Sequence, residues 1–435
     1  MDHTLASAIA IGVLLVLMVL GIPVAFSLGI SGLLGLALAG GVTLAFSALT
    51  NQIVSAPYNF VLTAIPLFVL TAQIVLHTGL GSYLFRASEA VLGRFPGRLA
   101  LATLGTCTAF AAVTGSSVAS VATVGPVALK EMYDRNYSRR LATGIIAGAG
   151  GLAIIIPPSI AFILYGYIAE VSVAKMFLAG VFPGLLMATG YAIVILIWCR
   201  RKPMAAPPGP VMKPKEAVTS AFLGLPVLVI GLFILGSIYF GIATVTESAA
   251  IGVVVALLLA IVYRKFNRRV AKQSLLETAR TTGFYFILLV ASLTFGYMLT
   301  YLGLPNAFTE FILGLGLSKW AVLAFIYVLL LVMGTLMDGT SILLIVVPIV
   351  LGPLRHYGFD PIWLGVLLCE IIEIGLATPP YGINIFVLQG AMKRGEVRYS
   401  DVVMGSLPFM LSDMVVVALV TIFPMIALWL PSTMG

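Results

Sequence analysis

The sequence predicts an all-α polytopic membrane protein made of two inverted repeats, each with a re-entrant helical hairpin and a broken transmembrane helix. Three observations predict this class. The 435 residues are 61% hydrophobic and only 9% charged, with a mean hydropathy of +1.13, a composition that no soluble domain carries. The basic residues behind the net charge of +8 gather in short stretches between apolar runs. They mark the cytoplasmic side of a membrane rather than an affinity for nucleic acid. Finally, one pattern occurs twice: an apolar stretch with a small polar centre, a proline, and then a Pro-Pro pair in a second apolar stretch. Pro126 and Pro157 are 31 positions apart, and so are Pro348 and Pro379.

The stretch 98–130 organises the first half. Its ends are apolar and its centre reads Thr114-Gly115-Ser116-Ser117, with Ser120 beyond. Arg86, Arg94 and Arg98 precede it, and Lys130, Arg135, Arg139 and Arg140 follow. With cytoplasmic residues on both flanks, the stretch enters the membrane and returns. Each arm of about 15 residues spans about 23 Å as a helix, less than the hydrocarbon core of about 30 Å. The tip therefore stops inside the membrane, where irregular backbone survives only when buried in protein or lining a watery cavity.

Taken in order, 1–97 reads as N-terminal scaffold helices: apolar runs at 5–21 and 23–40, a loop or surface segment at 41–57, a span at 58–78, and a basic loop from Arg86 to Arg98. The start lacks the basic region of a cleaved signal peptide and reads as a retained helix. Residues 98–199 form the first repeat core, with hairpin one (98–130), a basic loop from Lys130 to Arg140, and a broken helix (141–168). In that helix Pro157 and Pro158 remove two successive donors and Ser159 caps the second half. Residues 200–217 are a Pro-rich basic cytoplasmic linker. Residues 218–303 are scaffold or arm helices, with a basic loop from Arg264 through Lys272 to Arg280. Residues 304–400 hold the second repeat core, with hairpin two (319–353) and a broken helix (362–390); 401–435 is a C-terminal helix. The tips Gly115-Ser116-Ser117 and Gly339-Thr340-Ser341 align with a two-residue slip. Between the basic residues Arg280 and Lys393 the chain changes sides an even number of times. It crosses outward at 281–303 and back at 362–390, so hairpin two enters from outside and the repeats are inverted. Inverted repeats with broken helices are a secondary-transporter architecture.

The segments TGSSVASVATVGP, GGLAIIIPPSIAFILYG, ATVTESAAIG, GTLMDGTSILLIVVPIVLGP and EIGLATPPYGINIFV resemble the large membrane (M) subunit of tripartite ATP-independent periplasmic (TRAP) transporters, of the ion-transporter superfamily, over nearly the whole chain. The resemblance implies an elevator-type transporter in the bacterial inner membrane that imports an organic acid, a carboxylate, with sodium as the coupling ion and no other cofactor. It also implies two partners, a small four-helix membrane subunit (Q) and a periplasmic substrate-binding protein (P). The chain departs from the expected pattern at Glu370, where an apolar or amide residue is anticipated.

Sodium wants about five or six oxygens, and unwound carbonyls and helix C-termini suit cations while half-helix N-termini suit anions. One candidate cation site therefore lies among Ser116, Ser117 and Gly150 in the Gly148–Gly151 run, or Pro157. A second lies among Gly339, Thr340, Ser341 and the turn from Gly375 to Thr378. The candidate substrate site sits between the tips, near Gly115, Pro158, Ser159, Pro380 and Asn384. Two structural alternatives stand beside these: Ser116, Ser117, Thr340 and Asp338 suit N-caps, and the glycines suit close helix packing. Glu247 reads as a cap or subunit contact. Glu370 and Glu373 share a helix face as structural groups or proton carriers, and Asp413 faces the interior. His77 and His356 read as helix-end residues, and Trp198, Trp320, Trp363 and Trp429 as an interfacial belt. Cys107, Cys199 and Cys369 have neither metal nor disulfide spacing and read as packing residues.

Other classes fit poorly. No P-loop or HExxH motif is present, so ATP and zinc chemistry drop out. A hydrolase using Ser116 or Ser117 with His77 lacks a third orienting group. The runner-up is a stand-alone sodium- or proton-coupled anion carrier that needs no binding protein.

Overall fold

A computed structural model describes residues 3–434 except 93–94, 208–212, 380–381 and 393–394. The described residues form twenty-one α-helices and no strands: α1 (His3–Val19), α2 (Val24–Gly40), α3 (Val42–Tyr58), α4 (Ala64–His77), α5 (Leu80–Leu92), α6 (Arg98–Thr114), α7 (Ser117–Asp134), α8 (Arg139–Gly150), α9 (Leu152–Ile155), α10 (Ile160–Ile168), α11 (Val173–Arg201), α12 (Pro214–Tyr239), α13 (Val245–Val262), α14 (Arg268–Tyr301), α15 (Leu304–Gly314), α16 (Lys319–Gly334), α17 (Gly339–His356), α18 (Pro361–Ala377), α19 (Ile383–Ala391), α20 (Tyr399–Ile422) and α21 (Met425–Ser432). Six of them are long and apolar enough to cross a membrane, or eight spans if two bent pairs each count as one. One such pair is the first broken helix, bent by 41° between Ile155 and Ile160.

The helix bounds of the two halves repeat at a constant offset. Adding 222 to the bounds of α7 gives those of α17, and adding it to the span from α8 to α9 gives α18. The match reaches back to α2 and α13, so the repeat takes in the N-terminal helices too. The tips follow the same offset, which pairs Ser116 with Asp338 as N-cap residues. This replaces the two-residue slip: the small-residue motifs are similar in composition, but hairpin two spends its extra residues in the turn before the cap. Self-equivalent residues also meet. The Tyr191 hydroxyl donates to Asp413 Oδ2 at 2.6 Å, 222 positions away, and Gly151 lies against Glu373, the same offset on. In a two-fold repeat only residues near the axis touch their own counterparts, so the axis runs between these pairs.

Packing sorts the helices into two groups. The first holds α1–α5 with α12–α14, through contacts such as α5 on α12, α2 on α14 and α4 on α13. The second holds α6–α11 with α16–α21, through contacts such as α8 on α20, α7 on α19 and α10 on α17. Between them, α5 leans on α6 and α15 on α17. At the α5 junction Glu89 is buried and pairs with Arg135, just past the end of α7, at 2.7 Å and with Arg98 of α6 at 3.9 Å.

The expected basic loops are mostly helix. Arg86 lies within α5 and Lys130 within α7, the connection to α8 being only 135–138. The stretch from Arg268 to Arg280 forms the first third of α14. Clustered cations mark the side of the membrane, and long Lys and Arg side chains reach the interface from a continuing helix. Residues 41–57, expected as a loop or surface segment, are helical with much of their surface exposed. The C-terminal helix breaks before Pro424, giving α20 and α21. Trp363 is not interfacial: it is 2% exposed and its indole N–H donates to Val420 O at 2.8 Å.

Candidate functional site

At the first tip, α6 stops because Gly115 turns left-handed, with φ of 61°. Most side chains avoid that conformation. A Cβ there would also run into the Pro158 carbonyl, 2.5 Å away. Ser116 is extended and its hydroxyl accepts from the Ala119 N–H at 3.4 Å, which starts α7. The Gly115 carbonyl accepts from the Ile160 N–H at 3.4 Å. Tip one thus closes on the start of α10. Its flank meets the first half of the broken helix, with the Ser117 carbonyl 3.6 Å from a Cβ built on Gly150.

In the break itself, Ile156 leaves helical geometry and the chain resumes after Ser159. The Ser159 hydroxyl donates to Ile154 O at 2.5 Å and accepts from the Phe162 N–H at 3.4 Å. One hydroxyl therefore satisfies orphan groups on both sides of the interruption. It caps α10 as expected, and it is wholly buried.

Tip two is capped by a carboxylate. Asp338 accepts from the Ser341 N–H at 2.9 Å and from the Ser341 hydroxyl at 2.5 Å. The Ser341 hydroxyl is therefore committed to the cap, while Thr340 is left free to face the cavity. Gly339 packs on Ile372 and Leu376 of α18. Gly334 and Gly375 let α16 and α18 touch backbone to backbone, and the Gly375 carbonyl accepts from the Thr378 N–H at 3.0 Å.

A cavity of about 740 Å³ takes in both tips. Gly115, Ser116 and Ser117 line one side, and Asp338, Gly339 and Thr340 another. Two scaffold helices complete it: α14 presents Glu277, Arg280, Thr281, Phe284 and Tyr285, and α4 presents Gln73 and His77. Tyr285 bears on both tips, through a side-chain hydrogen bond with Ser116 and electrostatically on Asp338. Of the other candidates, Gly150, Pro157, Pro158, Ser159, Ser341, Gly375, Thr378 and Asn384 do not line this cavity. Pro380 lies outside the described residues. Asn384 is wholly buried behind the wall and donates to Glu373 Oε1 at 2.7 Å, and Ser117 also approaches Glu373. Glu247 forms a capping box with Thr244.

Reading 264–280 as loop missed Glu277 and Arg280 as wall residues, and Thr281, Phe284 and Tyr285 fell in the expected crossing 281–303 without an assigned role. Their spacing was the available signal: positions 277, 280, 281, 284 and 285 share one face of a helix. The same steps occur at 69, 72, 73, 76 and 77 of α4. A second cavity of about 1110 Å³ lies among Asn59, Glu170, Thr244, Ser292 and Thr300, with neither hairpin tip in its wall.

Comparison with known proteins bears directly on this architecture. The family model described as "Tripartite ATP-independent periplasmic transporter, DctM component" matches residues 11–426. The chain belongs to this family. It is 35% identical over 358 residues to a C4-dicarboxylate TRAP transporter large permease protein of Pseudomonas aeruginosa, covering 82% of this chain and 83% of that one. It is 31% identical to an ectoine TRAP large permease of Halomonas elongata (82% and 83% covered). With a sialic acid TRAP large permease of Vibrio cholerae the identity is 29% (81% and 82%). Among solved structures, the YdaH transporter of Alcanivorax borkumensis shares the fold with a TM-score of 0.61 at 15% identity, covering 91% of this chain and 90% of that one. The chain is thus a multi-pass inner-membrane permease and not an enzyme.

Proposed function

We propose that this permease imports an organic acid by sodium-coupled elevator transport, taking the substrate from a periplasmic binding protein and braced by a small four-helix membrane subunit. The observation that carries the reading is the one cavity that both hairpin tips and α14 line together. Tip one offers the Ser116 and Ser117 hydroxyls with the Gly150 backbone beside them, and tip two offers Thr340 and the Gly339 backbone. These are hard, mostly neutral oxygens at helix ends, suited to a monovalent cation. The N-termini of α7 and α17 converge on the same space and favour a carboxylate. The relatives' stated substrates, C4-dicarboxylates, ectoine and sialic acid, all carry a carboxylate.

The cavity wall comes from both packing groups, so sliding one group past the other would move the tips relative to α4 and α14. The Glu277 and Arg280 end of the cavity lies towards the basic start of α14, which the charge pattern places in the cytoplasm. This arrangement fits an inward-facing state. Uptake in proteoliposomes holding this chain, its small subunit and a cognate binding protein tests the proposal. We expect uptake of labelled carboxylates to require both a sodium gradient and the binding protein. Uptake driven without the binding protein would favour a stand-alone carrier.

A further inference from the structure

Glu370, Glu373 and Asp413 are 0%, 3% and 4% exposed and line neither of the two cavities described above. Glu370 and Glu373 stand one turn apart on α18, and Asp413 faces them from α20, close enough to act electrostatically on both. What this place lacks is hydrogen. Both oxygens of Glu370, Oε2 of Glu373 and Oδ1 of Asp413 have no donor. Independently, the Asn384 carboxamide is wholly buried, points its N–H at Glu373 and leaves its own Oδ1 without a donor.

Among the described residues no positive charge pairs with them. The titratable groups facing Glu370 and Asp413 are Tyr191 of α11, Tyr327 of α16, and Cys369 and Glu373 of α18 itself. From α10, Tyr165 reaches Cys369. Helices α9, α19 and α21 contain no titratable side chain. Of the cations on packed neighbours, Arg140 of α8 pairs with Asp401, twelve residues or about 18 Å along α20 from Asp413. Arg139 lies over Tyr133, and Arg355 of α17 donates to the Ala169 carbonyl. Among the described residues no cluster has the makings of a metal site. Unpaired carboxylates in a dry interior cost many kcal/mol, and neighbouring like charges add to that. A proton on Glu370 and one on Asp413 would remove the charge and turn an orphan acceptor into a donor at each.

The cluster also sits where an exchangeable proton is useful. Cys369 and Ile372, flanking Glu370 on α18, line the cavity. Tyr191 and Asp413 join the two repeats at their axis. We propose that Glu370 and Asp413 form a proton-carrying site, so that this permease moves protons together with its cation and substrate. Each proton is taken up on a carboxyl oxygen from water on one side and released to water on the other, with no change in electrons. Glu373, which touches Ser117, relays the site to the cavity wall and is not the carrier. The inference rests on the secondary-transport reading above.

Two measurements on the purified complex test it. Infrared spectra at neutral pH should show protonated-carboxyl stretches that diminish as pH rises, one lost in Glu370→Gln and the other in Asp413→Asn. In proteoliposomes with a fixed sodium gradient, an imposed inward proton gradient should raise initial uptake of labelled C4-dicarboxylate, ectoine or sialic acid several-fold. Glu370→Gln should abolish that gain while keeping sodium-driven uptake. Tyr191→Phe, which keeps the ring, serves if the Gln variant does not fold, and should alter the Asp413 band alone. A missing band, a band indifferent to pH, or uptake indifferent to the proton gradient would overturn the proposal. Absence of any uptake would instead contradict the transport reading, and the infrared result would then decide the proton site by itself.

Discussion

Four hydroxyls do different work at the two tips. Ser159 and Ser341 are spent on holding backbone, the first across the Pro-Pro break and the second on the Asp338 cap. Ser117 and Thr340 line the cavity. Ser117→Ala and Thr340→Ala should therefore raise the sodium concentration needed for half-maximal uptake by about tenfold, equivalent to about 1.4 kcal/mol, with little change in melting temperature. Asp338→Ala removes the cap and should lower stability by about 1 kcal/mol, read as a drop in melting temperature, whereas Asp338→Asn should restore most of it. Gly115→Ala places a Cβ in a left-handed backbone, a strain of about 1–2 kcal/mol, and against the Pro158 carbonyl. It should separate tip one from α10 and abolish uptake. In sequence the four hydroxyls look alike, since Ser, Thr and Asp cap helices and bind ions with the same atoms. Only their partners in space separate the two uses.

Elements were legible where backbone chemistry punctuates them. The Pro157-Pro158 pair opens the first broken helix where expected, because two missing donors in succession cannot be absorbed by a regular ladder. Boundaries inferred from charge failed, as Arg86, Lys130 and Arg268 show: an arginine is compatible with helix, and its side-chain reach lets the helix run on. That is why the α14 wall of the cavity was hidden. The junction of α5 with hairpin one was also hidden, because Glu89 meets Arg135 only in three dimensions. Glu89→Ala removes the buried carboxylate shared by Arg98 and Arg135, although Arg135 keeps Glu131 at 3.3 Å. Losing that charge-assisted hydrogen bond costs about 1.5–3 kcal/mol, so this variant should lower the melting temperature more than Asp338→Ala. Replacing Glu277, half-buried and paired with the exposed Arg280, should change stability by less than about 1 kcal/mol.

At the scale of the whole molecule, the repeat explains why the two tips meet. The offset of 222 residues relates α7 to α17 and places Tyr191 on Asp413, so whatever the first half presents at the axis the second presents from the other side. Part of this was visible as the equal Pro126–Pro157 and Pro348–Pro379 spacings. The rest was not, because the N-terminal helices match in length and position rather than in residue type. If the second packing group slides past α4 and α14, joining Ser116→Cys to Tyr285→Cys with a bis-methanethiosulfonate reagent that spans the space the tyrosine ring occupies should arrest transport, and reduction should restore it.

Sodium-dependent uptake tests the central claim most directly. This chain, its small membrane subunit and a cognate binding protein are placed in liposomes, and entry of a labelled carboxylate is followed with an inward sodium gradient and with potassium in its place. The account predicts uptake with sodium only, weakened at limiting sodium by Ser117→Ala and Thr340→Ala alike. Equal uptake in potassium, or tip variants indistinguishable from the native chain, would contradict it.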